Sequence, residues 1–579
     1  MLAWTIRRRP IPSTIEGLPQ NLHPVLRRVY AARSVCGAAD LEQGLSELHP
    51  PHLLSNIDAA AELLAGILMA GGRMLIVGDF DADGATSTAL AIRALRAMGA
   101  TQVDYLVPNR FDFGYGLSPE LVQVAQARCP DVIITVDNGI SSLAGVAAAN
   151  AAGIQVLVTD HHLPGAQLPQ AAVIVNPNLP DDPFPSKSLA GVGVIFYVML
   201  ALRSYLRAAG WFTARAIAEP RLAQLLDLVA LGTVADVAVL DRNNRILLEQ
   251  GLRRMRAGQV CPGILALLEV AGRARHRLVA ADLGFAVGPR LNAAGRLKDM
   301  SRGIECLLTD CPQTALAIAR ELDALNRQRR EIEQEMHQQA LASLETLQTE
   351  LATASLPHGL CLLDASWHQG VVGILASRIK QRLHRPVIAF ARAADGKLQG
   401  SARSVPGLHI RDLLERISSR YPGLVVKFGG HAMAAGLTLR AADFDRFRMA
   451  FEAAVSDVAS AEVLERIILT DGELEPENLD LALAQVLRVA GPWGQGFPEP
   501  LFDGVFTVLD RRVVGEQHIR FRLRAPQNEA IVDAIAFSAV QYGWDCVQGA
   551  VRIVFRLDVN EFRGKQSLQL MIEYLEPVP

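Results

Sequence analysis

The sequence predicts an α/β protein in which a parallel-sheet domain is joined by a long helix to a second α/β domain, followed by a C-terminal β-barrel. From about residue 55 to 250, strands rich in Val and Ile alternate with Ala-rich helical stretches, which is typical of a parallel sheet covered by helices. Residues 313–350 keep helical spacing and contain no proline, so one long helix is expected there. After about residue 465, five segments alternate apolar and polar residues as the strands of a small barrel do.

The length of the chain, 579 residues, is too great for one hydrophobic core. We expect an N-terminal arm over 1–54, a catalytic domain over 55–310, the connecting helix over 311–352, a substrate-binding domain over 353–460 and the barrel over 461–579. The net charge is 57 minus 60, or −3. A surface for nucleic acid must therefore be local, because the overall charge gives no support for one.

Cysteine content and the N-terminus bear on the compartment. The seven cysteines include no CxxC pair and are odd in number, which predicts reduced thiols of a cytosolic protein. The start, MLAWTIRRRP, places its charges after a short apolar stretch, the wrong order for a secretory signal. No run approaches the roughly 20 apolar residues that a membrane span needs. We expect a soluble, cytoplasmic protein without a membrane partner.

Acidic and histidine side chains follow three apolar strands of the first domain. The runs are MLIVGDFDADG at 74–84, VIITVDNG at 132–139 and VLVTDHH at 156–162. Because open parallel sheets gather the carboxyl ends of their strands at one edge, these side chains should converge there. They are Asp79, Asp81, Asp83, Asp137, Asp160, His161 and His162.

Carboxylates and imidazoles in one crevice repel one another unless a cation neutralises them, so the cluster predicts a metal site. Carboxylates with histidine and no cysteine suit Mn²⁺ or Mg²⁺, and the ligands suffice for two ions sharing a carboxylate. Two ions roughly 3.5 to 4 Å apart are a common device for hydrolysing phosphate esters. An EF-hand is the alternative, but its twelfth loop position would be Leu90 instead of Glu, and a strand precedes the loop.

Four further runs complete a pattern: GTVADV at 232–237, GPRLNAAGR at 288–296, GSARS at 400–404 and GGH at 429–431. With the earlier three, they resemble the DHH phosphoesterase superfamily, named for the triplet found here as Asp160, His161 and His162. Over nearly its whole length the chain is similar to the superfamily's single-strand-specific 5′ to 3′ DNA exonucleases. The resemblance implies a DHH catalytic domain, a DHHA1-type domain and a C-terminal OB-fold. It also implies hydrolysis of single-stranded DNA to nucleoside 5′-monophosphates in recombination and repair.

Six metal ligands follow from the resemblance: Asp79, Asp81, Asp83, Asp137, His161 and Asp236. Asp81 and Asp83 would ligate the two ions, Asp137 would bridge them, and His161 and Asp236 would complete one shell. Asp79 either binds the first ion or orients its water.

The other two members of the triplet are assigned to catalysis. Asp160 is either a ligand or the partner that fixes the imidazole tautomer of its neighbours. His162 would donate to the phosphate oxygen that gains charge in the transition state. The alternative for His162 is a structural hydrogen bond to a loop carbonyl.

Residues expected to bind DNA lie in three of the runs and in PNRFDFGYG at 108–116. Arginine beside aromatic rings suits a single strand, and short residues allow close approach of phosphate to the backbone. The expected residues are Arg110, Tyr115, Arg290, Asn292, Arg296, Ser401, Arg403, Ser404, Gly430 and His431. For each arginine a surface ion pair is the alternative, and Phe111 and Phe113 could equally be core. In the barrel, Arg520, Phe521, Arg522 and Arg524 alternate charge and ring in a way that suits a guided strand, or else form the solvated face of an edge strand.

Partners and competing functions complete the expectations. The expected substrate is single-stranded DNA with a 5′ end, and the family implies a single-strand-binding protein and a helicase as partners. One alternative is a relative that hydrolyses short oligoribonucleotides or cyclic dinucleotides, although such relatives generally lack the third domain. An alternative of another class is an inactive replication scaffold of the same fold, against which the intact acids and triplet argue.

Overall fold

The structure is a computed structural model that describes residues 4–12, 17–108, 116–350, 357–364, 366–393, 396–430, 433–460, 462–525 and 530–578, except for the side chains of 341–350 and 562. Within these residues the strands form two five-stranded sheets, a two-stranded sheet and a closed barrel. Arg110, Tyr115 and His431, which were expected to bind DNA, lie outside the described residues.

The N-terminal segment forms strand β1 (Thr5–Arg8) and helix α1 (Pro24–Ala31). Strand β1 pairs in parallel with residues 467–470, far away in the sequence. Beyond α1, Arg33 donates to Asp471 at 2.7 Å, and both side chains are almost fully buried. The segment therefore packs against the start of the C-terminal region and is not a free arm.

The first domain is built on five parallel strands in the order β3-β2-β4-β5-β6. The strands are β2 (Met74–Gly78), β3 (Val103–Leu106), β4 (Val132–Val136), β5 (Gln155–Thr159) and β6 (Val173–Val175). Strands β2 and β4 are buried along their whole length, as expected of strands covered on both faces. The prediction of a parallel sheet is confirmed.

Twelve α-helices surround or follow this sheet. They are α2 (Ile57–Met69), α3 (Ala82–Ala97), α4 (Pro119–Gln126), α5 (Leu143–Ala151), α6 (Gly191–Ala208), α7 (Trp211–Ala214), α8 (Leu226–Ala235), α9 (Arg242–Ala257), α10 (Pro262–Val270), α11 (Ala280–Asp282), α12 (Gly288–Leu297) and α13 (Ser301–Leu308). A single turn of π-helix, Leu283–Val287, joins α11 to α12.

Helix α6 is long and apolar enough to cross a membrane by length and composition, which the inspection of the sequence did not anticipate. Its residues 191–199 are buried, and it packs against α2 and α3. Its apolar character is that of a core helix.

The long connecting helix is present as α14 (Pro312–Glu350), which confirms the prediction for 313–350. It leads into the second domain, whose sheet has the order β10-β11-β9-β8-β7. The elements are β7 (Leu360–Leu363), α15 (Val372–Leu383), β8 (Val387–Arg392), β9 (Lys397–Arg403), α16 (Ile410–Arg420), β10 (Lys427–Gly430), β11 (Ala434–Arg440) and α17 (Phe444–Val458). In this sheet only β7 and β8 run parallel among the paired strands described.

The C-terminal region begins with β12 (Ile467–Thr470), the partner of β1, and α18 (Leu481–Val489). The barrel follows, with β13 (Phe502–Val514), β14 (His518–Arg524), β15 (Ile531–Ala536), β16 (Gly549–Phe562) and β17 (Lys565–Pro577). Its strands close in the order β13-β14-β15-β17-β16, with a parallel contact between β15 and β17. Five strands in a closed Greek-key barrel are an OB-fold, as predicted.

The hydrophobic cores show how these parts are joined. One continuous core runs from the N-terminal segment through the first domain and α18 into the barrel, whereas the second domain has cores of its own. The first and second domains meet where Arg296 in α12 donates to the carbonyl of Gly370 at 3.2 Å. Because Gly295 of α12 packs on the carbonyl of Phe80, this contact has the acidic turn after β2 on one side and the start of α15 on the other, and the space between them is the interdomain cleft.

Candidate metal centre

Three aspartates stand at one edge of the parallel sheet, as the sequence predicts. Strands β2, β4 and β5 end at Gly78, Val136 and Thr159, and each is followed at once by an aspartate. These residues, Asp79, Asp137 and Asp160, are at most 4% exposed. His161 approaches the same place, with its Nε2 atom 3.1 Å from Oδ1 of Asp137.

The ligand atoms fall into three overlapping groups, each with its atoms within 4.8 Å of one another. The groups are Asp79, Asp81 and Asp137; Asp137, His161 and His162; and Asp83, His161 and Asp236. Asp137 links the first two groups and His161 links the last two. The arrangement offers two adjacent cation positions with Asp137 between them.

The acidic turn before α3 is fixed by backbone donors. Oδ1 of Asp81 caps the helix by accepting from the N–H groups of Asp83 at 2.9 Å and Gly84 at 3.0 Å. The carboxylate of Asp83 accepts from the N–H groups of Gly191 at 2.7 Å and Val192 at 3.0 Å, at the start of α6. Two helix N-termini thus lie beside the cluster and partly offset its negative charge.

Asp137 occupies a strained backbone position. Its φ is +62°, in the left-handed region that residues other than glycine seldom adopt. Gly191 packs so closely that a Cβ added there would lie 2.7 Å from Oδ1 of Asp137. Only glycine fits at 191, so the start of α6 and the carboxylate hold each other in place.

Within the DHH triplet, Asp160 serves its two neighbours. Its Oδ1 accepts from the backbone N–H groups of His161 and His162, and lies 2.7 Å from Nδ1 of His162. Its Oδ2 accepts from the N–H of Ile140 at 2.9 Å. Of the two roles left open for Asp160, this geometry favours the partner that orients His162, because Asp160 belongs to none of the three ligand groups.

Burial and mutual repulsion perturb the carboxyl groups. Burial first, and then Asp236, raise the pKa of Asp83 to about 7. Burial and then Asp81 raise the pKa of Asp236 to about 7 as well. Burial and the charges of Asp83 and Asp81 raise the pKa of Asp137 well above its usual range. Each shift reports a carboxylate that lacks a compensating positive charge.

The two histidines are shifted in opposite directions. Burial and then the neighbouring His162 lower the pKa of His161, which keeps it neutral and able to ligate. For His162, burial is outweighed by Asp160, which raises the pKa to about 9. Burial would raise the pKa of Asp160, but pairing with His162 lowers it to about 2. His162 is therefore a cation at neutral pH, held by an ionised partner.

The donor set fits divalent cations. It consists of carboxylate oxygens and imidazole nitrogen without sulfur, as Mn²⁺ and Mg²⁺ prefer. Nε2 of His161 is buried and makes no hydrogen bond of good geometry in the described part of the chain, although Oδ1 of Asp137 lies 3.1 Å away. A buried nitrogen of this kind, facing carboxylates whose pKa is raised, is satisfied when a cation lies between them.

The GPRLNAAGR run forms α12, and its polar residues contact protein. Oδ1 of Asn292 accepts from the N–H of Ala82 at 2.8 Å, between Asp81 and Asp83. Arg290 is 9% exposed and pairs with Asp323 at 2.8 Å. These contacts hold Asn292 and Arg290 in place, and their expected contacts with DNA stay a prediction.

The second domain places Ser401 and Arg403 side by side on β9. Nη1 of Arg403 donates to Oγ of Ser401 at 3.0 Å, and Gly373 at the start of α15 faces both side chains. Gly430 ends β10 with φ +142°, where a Cβ would collide with Ala435. Ser404 is fully buried and donates to the carbonyl of Leu408, so its hydroxyl does not reach the cleft.

In the barrel, one sequence expectation needs correction. Phe521 is fully buried in the barrel core, because the inward residues of β14 alternate with the exposed Arg520, Arg522 and Arg524. The ring of Phe521 is therefore unavailable for stacking on a base.

Several residues that shape the site were missed in the sequence. The backbone donors of Gly191 and Val192 hold Asp83, and the side-chain amides of Asn176 and Asn178 donate to the carbonyls of His162 and His161. The glycine-rich start of the apolar helix, LAGVGV at 189–194, was the available signal for the first pair. No local sequence pattern marks the two asparagines, because the conformation of the loop decides which carbonyls their side chains reach.

Comparisons with known proteins agree with this architecture. Family profiles match residues 73–233 as the DHH family N-terminal domain, 349–457 as the DHHA1 domain and 470–574 as the RecJ OB domain. The chain is 55% identical over 574 residues to the single-stranded-DNA-specific exonuclease RecJ of Escherichia coli, covering 99% of each chain. It is also similar to crystal structures of RecJ from Thermus thermophilus, one in complex with Mn²⁺ (TM-score 0.81, 30% identity, 100% of this chain and 80% of that one). The other is in complex with Mg²⁺ (TM-score 0.75, 28% identity, 100% and 79%).

Proposed function

The chain belongs to the RecJ family of single-stranded-DNA-specific exonucleases, and on that premise we propose that it degrades single-stranded DNA from the 5′ end in recombination and repair. The cofactor is a pair of Mn²⁺ or Mg²⁺ ions at the candidate metal centre, and the products are nucleoside 5′-monophosphates. The observation that carries the proposal is the position of Asp137, shared by two ligand groups at the sheet edge. A shared carboxylate is what a two-ion phosphodiesterase needs.

The proposed ligands divide between the two cation positions. Asp79, Asp81 and Asp137 would hold one cation, and Asp83, His161 and Asp236 the other. Asp137 would serve the second position as well, because its Oδ1 lies 3.1 Å from Nε2 of His161. When bound, such ions supply the positive charge that activates a water and stabilises the leaving oxygen.

His162 acts on the substrate directly. Its Nδ1 is held by Asp160, so Nε2 is the atom left to donate a proton or hydrogen bond. From Nε2 it would donate to the phosphate oxygen on which negative charge develops. Asp160 acts through His162, as the group that fixes its tautomer and charge.

Arg403, Ser401 and the start of α15 would hold the 5′ phosphate. The guanidinium and hydroxyl lie together beside Gly373, at a helix N-terminus that favours anions. Because Arg296 reaches across to Gly370 at this end of α15, the pocket lies across the cleft from the metal centre. A terminal phosphate fixed here would set the polarity of degradation.

A direct experiment uses purified protein, Mn²⁺ and a 5′-labelled single strand of DNA. Release of labelled mononucleotide as the first product supports the proposal, and EDTA should abolish it. A label that stays on progressively shorter strands would indicate the opposite polarity. No hydrolysis would support the inactive scaffold, and hydrolysis confined to very short oligoribonucleotides or cyclic dinucleotides would support the other alternative.

The barrel favours the exonuclease over the small-substrate alternative. A third domain beyond the metal centre offers surface to a strand longer than a dinucleotide. We further propose a cytoplasmic location and hand-over of strands by a helicase and a single-strand-binding protein.

A further inference from the structure

The rim of the metal centre carries an exposed aromatic ring. Phe285 is 79% exposed, the most exposed aromatic side chain among the described residues. A phenyl ring left in water contributes little to packing, and it marks a contact surface when other exposed apolar residues lie near it.

The backbone under Phe285 is unusual and firmly held. The residue sits in the π-helical turn Leu283–Val287, a conformation that occurs mainly at functional sites. Arg290 donates to the carbonyl of Ala286 at 2.6 Å while paired with Asp323. The turn is thereby tied to α14, so the ring is presented by a rigid support.

The same turn rests on the helix that delivers a proposed metal ligand. Gly284 faces Val234, with Cγ1 of the valine 3.1 Å from where a Cβ would stand, and Gly288 faces Ala235. Asp236 follows Ala235 directly at the end of α8. The turn that carries Phe285 therefore packs on the last residues of α8, directly before a proposed metal ligand.

Val237 extends the apolar rim. It follows Asp236, is 64% exposed, and has φ +58°. A β-branched residue in the left-handed region is strained, and such strain persists where the surroundings hold it for a function. The segment beyond is fixed by a hydrogen bond from the N–H of Leu240 to the carbonyl of Gln495.

We propose that Phe285 and Val237 form a base platform: the unpaired base of a nucleotide next to the cleaved phosphate stacks on Phe285, with Val237 at its edge. The inference rests on the proposed function, since it is the metal centre that brings a phosphate to this rim. An apolar surface does not bind a charged phosphate. An aromatic ring can stack on the flat face of any of the bases. A base inside a duplex is already stacked and paired, so the platform favours single strands.

The test is a thermodynamic cycle between the ring and the base. Equilibrium binding of a 5′-phosphorylated 12-nucleotide strand is measured in EDTA, with an abasic site placed in turn at each of the first six positions. The proteins are the wild type, Phe285→Ala, Phe285→Trp and, as control, Met449→Ala, which removes a 63% exposed side chain from the second domain.

Phe285→Ala should weaken binding of the intact strand by about 5- to 150-fold, the usual range for one base stacked on a ring. The loss should vanish when the abasic site falls at one particular position near the 5′ end. Phe285→Trp should retain affinity, and Met449→Ala should change nothing. Phe285→Ala should also bind a blunt duplex no more weakly than the wild type does.

Three outcomes would overturn the proposal. The first is an unchanged affinity of Phe285→Ala for the intact strand, and the second is an equal loss of affinity at every abasic position. The third is that Phe285→Ala changes only self-association, measured by sedimentation, which would assign the rim to a second copy of the chain. Failure of the proposed function is distinguishable, because wild-type protein that never cuts single strands would still give a result in this metal-free cycle.

Discussion

At the scale of single residues, Asp137 is constrained in two ways. It combines a left-handed backbone with a shared position between two ligand groups. We predict that Asp137→Asn lowers hydrolysis in Mn²⁺ by more than about 100-fold, beyond the loss expected when a group merely orients a ligand. Asparagine is the apt substitution, since it tolerates this backbone, whereas alanine adds strain of about 1 kcal/mol.

Binding of a single strand in EDTA should stay within a few-fold of the wild type for Asp137→Asn, because the proposed phosphate pocket is separate from the cluster. The two measurements are single-turnover cleavage and fluorescence anisotropy. Near-normal cleavage would remove Asp137 from the centre.

The raised pKa values of Asp83 and Asp236 make a pH prediction. In the fold these groups titrate near 7, against about 3.9 in the unfolded chain. Between about pH 4 and 7 the folded state binds more protons than the unfolded chain does. The contribution of these two carboxyl groups to the free energy of unfolding is therefore fully present below about pH 4 and is lost as the pH rises through 7. The metal-free protein should therefore gain more from Mn²⁺ at pH 8 than at pH 6 in thermal unfolding.

Proton release checks the same groups independently. Calorimetric titration of Mn²⁺ in two buffers of different ionisation enthalpy should show more protons released at pH 6.5 than at pH 8.5. The double variant Asp83→Asn/Asp236→Asn should release fewer protons. Equal release at both pH values would show that the two carboxyl groups are already ionised in the metal-free fold.

Arg403 is predicted to read the end of the strand. Arg403→Ala removes a charge-assisted contact worth about 1.5 to 3 kcal/mol, or about 10- to 150-fold in affinity or rate. The loss should be larger for a 5′-phosphorylated strand than for a 5′-hydroxyl strand. Arg446→Ala, an exposed arginine on α17, serves as the matched control. Equal losses on the two strands would show that Arg403 does not bind the terminal phosphate.

At the scale of elements, α12 supports the acidic turn before α3 through a single side chain. Asn292→Ala leaves the buried N–H of Ala82 without its acceptor, at a cost of about 1 to 3 kcal/mol. We predict that Mn²⁺ affinity falls by about 10- to 100-fold, as for other groups that orient ligands, and that DNA affinity in EDTA is unchanged. The reverse pattern, with DNA affinity lost and Mn²⁺ affinity kept, would restore Asn292 to the DNA-contacting residues.

The elements that the sequence predicts well are those with a local signal. The alternation of apolar and polar residues in β13 to β17 and the helical spacing of apolar residues in α14 are patterns of consecutive residues. The five strands and the helix are all present. The meeting of Asp79, Asp137 and Asp160 is also predictable, because parallel strands place their carboxyl ends together. The contacts of single side chains are less predictable, as Arg290 and Phe521 show. The sequence does not say whether either side chain contacts DNA or another element of the protein.

At the scale of the whole molecule, the pairing of β1 with β12 has no local signal at all. Each strand has four residues, and the partners are separated by more than 450 positions. Arg33 and Asp471 form a buried ion pair beside them, and Tyr30 donates to the carbonyl of Ala490. The N-terminal segment thus packs against the region that precedes the barrel. This position is decided by tertiary packing alone.

This closure changes how the barrel should be tested. Cutting the chain before residue 465 would remove β12 and Asp471, and it would expose apolar residues of the core that α18 and the barrel share with the first domain. A loss of activity in that truncation would report instability. Substitution on the barrel surface avoids the problem, and the exposed arginines of β14 are the place for it.

We predict that Arg520→Ala/Arg522→Ala/Arg524→Ala weakens binding of single-stranded DNA but leaves the maximal rate at saturating DNA near normal, since these residues lie outside the metal centre. If all three contact phosphates, the slope of log affinity against log salt should fall by about 2, because each lost contact on a single strand changes it by about 0.7. Arg520 pairs with Asp533 at 2.9 Å, and Asp510 lies opposite Arg522, so partial neutralisation would make the change smaller.

The control for the triple variant is Arg420→Ala/Arg446→Ala/Arg448→Ala, which removes the same charge from exposed positions around Tyr421 in the second domain. Because net charge changes equally, only a contact between β14 and the strand can separate the two variants. Identical affinities and salt slopes would assign the outer face of β14 to solvent or to a protein partner. A triple variant that binds DNA normally but cannot cut would instead mean that the barrel completes the active site.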